Sequence, residues 1–152
     1  MRAPPSVIAW LQRALQHEFA AARQFALQAS MARRLGDSAL ARFCSESAQE
    51  ELEHAQRLAA ALIDLGAGFG GGAAPAYPVG SSRQQILAAA AATERHAVAV
   101  YEGALRACAA DGELRALFGG LHAEECEHLD KLRRWAGDGS AAGAPHERRM
   151  QR

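Results

Sequence analysis

Two tetrapeptides, Glu51-Leu52-Glu53-His54 and Glu125-Cys126-Glu127-His128, share the form Glu-x-x-His. On an α-helix, residues three apart lie on one face, so each tetrapeptide projects a carboxylate and an imidazole in the same direction. A lone glutamate within another helical pattern precedes each, Glu18 by 33 residues and Glu94 by 31. The chain reads as two similar halves whose pairs can face each other.

Apolar residues recur at threes and fours around each of these glutamates. The first stripe runs through Leu11, Leu15, Glu18, Ala22, Phe25, Ala29 and Ala32, opened by Pro4-Pro5-Ser6 and ended by Gly36. Asp37 or Ser38 can cap the second helix, whose stripe passes Leu40, Cys44, Ser47, Glu51, His54, Leu58 and Leu62 before Gly66. Ser82-Arg83-Gln84-Gln85 has the form of a capping box, and Leu87, Ala91, Glu94, Val98, Tyr101, Leu105 and Cys108 follow on one stripe until Asp111-Gly112. The fourth stripe carries Leu114, Leu117 or Phe118, Leu121, Glu125, His128, Leu132 and Trp135, with Gly137 as its stop. The expected helices span about 6–35, 38–65, 82–110 and 113–136, in one domain over 1–137, with a flexible tail over 138–152.

Helices one and two share a very short turn and should be antiparallel neighbours. Between Gly66 and Ser81 the composition shifts to Gly, Ala, Pro and Ser, which holds no regular element. Extended, such a loop covers about 50 Å, whereas a helix of this size is about 42 Å long. It can therefore run the length of a bundle and start helix three parallel to helix two. The fold class that follows is all-α, an antiparallel four-helix bundle with a long crossover between helices two and three.

Abundant alanine and few β-branched or aromatic residues agree with helix. A formal net charge of zero gives no general pull toward nucleic acid or a membrane surface. Cys44, Cys108 and Cys126 are odd in number and lack CxxC spacing, which fits free thiols in a reducing compartment. No apolar run is long enough to span a bilayer, and no hydrophobic signal core follows Met1. A soluble, cytoplasmic protein is the expectation.

Each of the four glutamates sits mid-stripe, where a leucine would ordinarily be. A buried carboxylate without a partner costs several kcal/mol or takes up a proton. Four at one level of a bundle carry a charge that two divalent cations would balance. Oxygen-rich ligation with one imidazole per ion suits iron or manganese better than zinc. The candidate metal-ligating and catalytic residues are thus Glu18, Glu51, His54, Glu94, Glu125 and His128. Glu50, Glu53, Glu124 and Glu127 leave the stripe and read as solvated surface residues. His17, His96 and His122 have no partner at matching spacing and read as ordinary helix residues. Tyr101, two turns after Glu94 on the same stripe, reads as a core tyrosine ahead of a donor of an electron or a hydrogen bond, and Cys126 faces about 100° away from Glu125.

These motifs, with Gln24-Phe25, Gly36 and the blocks Glu50 to Ala55 and Glu124 to Asp130, resemble the ferritin-like di-iron carboxylate proteins, most closely the bacterioferritins, over roughly residues 7–135. The resemblance implies that Glu51 and Glu125 bridge two ions, with Glu18 and His54 on one and Glu94 and His128 on the other. It also marks departures. The methionine that holds haem between subunits in bacterioferritin is Leu52 here, so haem binding is not expected. The family's tyrosine beside the metal site is Phe25, and its fifth short helix has no counterpart in the tail.

The implied activity is that of an oxidoreductase binding two Fe ions, with Mn as the other candidate, and oxidising Fe(II) with O2 or H2O2 for iron storage or detoxification. A rubrerythrin-like peroxidase or manganese catalase relative is the rival enzyme, although Ala97 stands where the former carries another glutamate and no four-cysteine module is present. A non-catalytic, metal-retaining helical scaffold is the rival of another class. The apolar outer residues of helices one and two favour a homo-oligomer, at least a dimer.

Overall fold

The computed structural model describes residues 3–109 and 112–141. Four helices, α1 (Pro5–Arg34), α2 (Ser38–Asp64), α3 (Arg83–Ala107) and α4 (Glu113–Ala141), account for most of them, with no strand among the described residues. α1 and α2 end alike. After α1, Gly36 takes a φ of +77° and the Asp37 N–H bonds back to the Ala32 carbonyl; after α2, Gly66 takes +64° and the Ala67 N–H reaches the Leu62 carbonyl. A left-handed glycine just past each helix makes both closures possible. Asp37 then caps α2, its carboxylate accepting from the Leu40 N–H at 3.0 Å.

The crossover does run the length of the bundle. Side chains on α1 hold it at successive heights: Gln12 donates to the Gly68 carbonyl, His17 meets the Tyr77 hydroxyl, Gln24 donates to the Pro78 carbonyl and Gln28 to those of Val79 and Ile86. The loop thus rises along α1 in the direction of α1 itself, and α3 starts beside the α1–α2 turn, where Arg83 pairs with Asp37 at 2.5 Å. α3 therefore descends parallel to α2. Ser82 caps it by accepting from the Gln85 N–H, while the Gln85 side chain accepts from the N–H of Ser81 rather than that of Ser82.

Two helix ends differ from the expected ones. α3 stops at Ala107, before position 110; Cys108 turns extended and Arg115 satisfies the freed Leu105 carbonyl. α4 continues through Gly137 to Ala141. A glycine costs a helix interior only about 1 kcal/mol. The turn before it is anchored by Trp135, which packs against Phe43 and lies under the Arg83 guanidinium. Of the expected tail over 138–152, residues 138–141 are therefore helical and 142–152 lie outside the described residues.

The core falls into two parts. Leu11, Leu15, Leu58, Leu62, Val100, Tyr101, Phe118 and Leu121 fill one end. Phe25, Ala29, Leu40, Cys44, Ile86, Leu87 and Leu132 fill the other. The four mid-stripe glutamates lie at the level between them. All three cysteines are free, and Cys44 and Cys108 belong to opposite ends of the core.

Candidate metal centre

Helical periodicity places one glutamate from each helix at this middle level, and all four are buried, Glu18 and Glu125 completely. His54 follows Glu51 by one turn on α2, and His128 follows Glu125 on α4. The six predicted residues converge. Glu18, Glu51, His54 and Glu125 offer four ligand atoms within 4.8 Å of one another, and Glu51, Glu94, Glu125 and His128 offer a second such set. Glu51 and Glu125 belong to both. Each set draws on α1–α2 and on α3–α4.

The imidazoles are arranged alike. His54 Nδ1 faces the carboxylates, 2.8 Å from Glu125, 3.1 Å from Glu51 and 3.7 Å from Glu18. His128 Nδ1 lies 3.3 Å from Glu51, 3.4 Å from Glu125 and 3.7 Å from Glu94. The two rings are nearly parallel, with centroids 5.6 Å apart.

Behind each ring stands a carboxylate that periodicity had assigned to the surface. His54 Nε2 pairs with Glu124 at 2.7 Å, and His128 Nε2 with Glu50 at 2.5 Å. Each helper precedes the shared glutamate of the opposite helix, so the bracing is crosswise between α2 and α4. Arg57 secures Glu124 in turn at 2.9 Å. A carboxylate on Nε2 keeps the proton there and leaves Nδ1 to face an ion, as the outer partners of metal-bound histidines do. Glu53 and Glu127 are exposed, as expected.

Other departures concern His17 and Tyr101. His17 is buried, its Nδ1 2.7 Å from the Tyr77 hydroxyl and its ring 5.1 Å from that of His96. Burial holds its pKa down at about 4, so it is neutral near pH 7. Tyr101 is a fully buried core residue, and it also donates its hydroxyl to Glu18. His122 contacts Glu102 at 3.4 Å, away from the centre.

The electrostatics divide the six residues. Burial, reinforced by the charge of Glu51, pushes the Glu18 and Glu94 carboxyls well above the usual range. Glu51 and Glu125 are driven upward by burial too, but the close approach of their neighbours, both imidazoles included, brings them below it. Burial disfavours charge on His54, yet its hydrogen bond to Glu125 and the nearby Glu18 and Glu51 carboxylates prevail and push it up to about 12. His128 is raised for the same reasons.

Both oxygens of Glu51 and of Glu94, one each of Glu18 and Glu125, and Nδ1 of His128 are buried without a hydrogen-bond partner. Among the described residues only the amide oxygens of Gln24 and Gln28 share that condition. Unsatisfied buried polar atoms are rare in folded proteins. Here they gather in one place, aimed at one another; the carboxylate oxygens are acceptors, and the His128 nitrogen becomes one on losing its proton, so that a hard or borderline cation would satisfy the whole group.

A family model described as a ferritin-like domain matches residues 8–141. Among solved structures, the bacterioferritin of Rhodobacter capsulatus, described with a metal-free dinuclear site and haem iron, is similar with a TM-score of 0.82 and 26% identity, over 88% of this chain and 85% of that one. Comparison with curated protein sequences gives no match.

Proposed function

The chain belongs to the ferritin-like family, and from that premise we propose that its buried carboxylate–histidine cluster takes up two Fe(II) ions as substrate and has them oxidised by O2 or H2O2. The observation that carries this reading is the pair of overlapping four-atom sets sharing Glu51 and Glu125. A carboxylate common to both sets has one oxygen for each ion, which holds two ions at a fixed separation. Glu18 with His54 completes one position and Glu94 with His128 the other. Mn(II) fits the same ligands.

The ions supply the electrons, and the chain supplies their placement. Glu50 and Glu124 fix the histidine tautomers. The apolar residues above and below exclude water, which strengthens each carboxylate–cation attraction. Neutralisation by ions makes four buried carboxylates tolerable. The physiological outcome we assign is iron storage or detoxification, in an assembly of at least two copies.

Anaerobic loading of the metal-stripped protein followed by exposure to O2, and separately to H2O2, tests the reading. The expected result is binding of two Fe(II) per chain, uptake of oxidant and rapid growth of ferric absorbance, all lost in Glu51→Gln. Iron oxidation no faster than in that variant would refute it.

A further inference from the structure

We propose that Tyr101 makes the two ion positions unequal, so that the position built on Glu94 and His128 fills before the one built on Glu18 and His54. This rests on the two-ion reading above and specifies the order of loading.

The two halves of the chain repeat each other at the six ligand positions, and of the differences around them one touches a ligand of the lone-glutamate pair directly. Seven residues after Glu18 stands Phe25, and seven residues after Glu94 stands Tyr101. Both side chains are fully buried, but only Tyr101 carries a hydroxyl, and it donates to Oε1 of Glu18. Glu94 receives no such bond: both of its oxygens lack a hydrogen-bond partner, whereas Glu18 has only Oε2 in that condition.

The bond cannot be given up at no cost. The Tyr101 ring is packed beside Phe118 within the core, and among the described residues its hydroxyl has no acceptor but Glu18. Turning Glu18 to bring both oxygens onto an ion would strand a buried hydroxyl, and a bond to an ionised acceptor is among the stronger kinds. Glu18 is thereby held to one-oxygen ligation. Glu94 is free to chelate with two. The ligand sets are otherwise matched, with one imidazole and the same two shared carboxylates on each side.

Co(II) added stepwise to the metal-stripped, full-length protein supplies the test, read by calorimetry and by proton NMR of the histidine rings. Two binding steps are expected, with affinities about tenfold or more apart, the size of effect that one hydrogen bond to a charged group commands. At one Co(II) per chain, the His128 ring resonances should be strongly shifted while those of His54 remain near their starting positions. Tyr101→Phe should still bind two ions but bring the affinities to within about threefold and shift both rings together. Equal shifts of both rings in the wild type, or His54 shifting first, would overturn the inference, and that measurement needs no variant to fold. An unchanged gap in Tyr101→Phe would overturn it as well. Failure of the wild type to bind two Co(II) would instead remove the two-ion reading beneath it.

Discussion

When no ion is bound, His54 and His128 are held toward the imidazolium and Glu18 and Glu94 toward the protonated carboxyl, which offsets the charge that Glu51 and Glu125 are held to carry. Protons then do what two divalent cations would do. Loading should accordingly release protons near neutral pH, measurable as a dependence of the binding heat on the buffer. The same groups set the pH dependence of the metal-stripped fold. His54 rises from its ordinary 6.5 to about 12, so the stability it contributes is complete below 6.5 and is lost as pH rises toward 12. Glu18 and Glu94, also raised, act with the same sign, while the depressed Glu51 and Glu125 contribute stability that is lost in acid. The stripped protein should therefore melt at a lower temperature at about pH 9 than at about pH 6, and bound Co(II) or Mn(II) should reduce that difference. A melting point that climbs over this interval would contradict the assignment of protons. At this scale the six converging residues were legible in the sequence, since the spacing of Glu and His on a helix fixes their shared direction. Glu50 and Glu124 were not. Each lies off the stripe of its own helix, and its partner sits on another helix, a relation that no local period contains.

The crossover is held by single side chains, and each can be removed. Gln28 is the most engaged, donating to two carbonyls, those of Val79 and Ile86, where the loop becomes α3. Gln28→Ala should cost about 1–3 kcal/mol, as expected when buried carbonyls lose a donor, read as a lower urea midpoint together with faster amide exchange over 66–86. Loss of stability without faster exchange there would mean that Gln28 matters for packing alone. The helices and the loop's path were readable from glycine placement and loop length. Its attachment was not, because Gln12, Gln24 and Gln28 look like ordinary polar helix residues until the loop lies against them. The end of α4 was misjudged for a related reason: Gly137 weakens a helix only slightly, and the Trp135 contacts with Phe43 and Arg83 are tertiary. Because each four-atom set takes one shared glutamate from across the bundle, neither helical hairpin completes a set by itself.

As a whole, the chain leaves apolar side chains facing outward on its first hairpin. Phe19 is 47% exposed, Leu27 42%, Leu52 38% and Ile63 63%. We expect these residues to meet another copy of the chain, in keeping with the assembly proposed above. Light scattering should report at least a dimer, and Phe19→Asp combined with Leu52→Asp should shift it toward the monomer with helicity retained. A monodisperse wild-type monomer at micromolar concentration would refute this. The sharing of positive charge between protons and cations reaches beyond the site itself. If ions enter only as an equal charge of protons leaves, empty and filled molecules carry the same net charge, and they should migrate together on a native gel. Neighbouring copies could then not sense from net charge which among them is full.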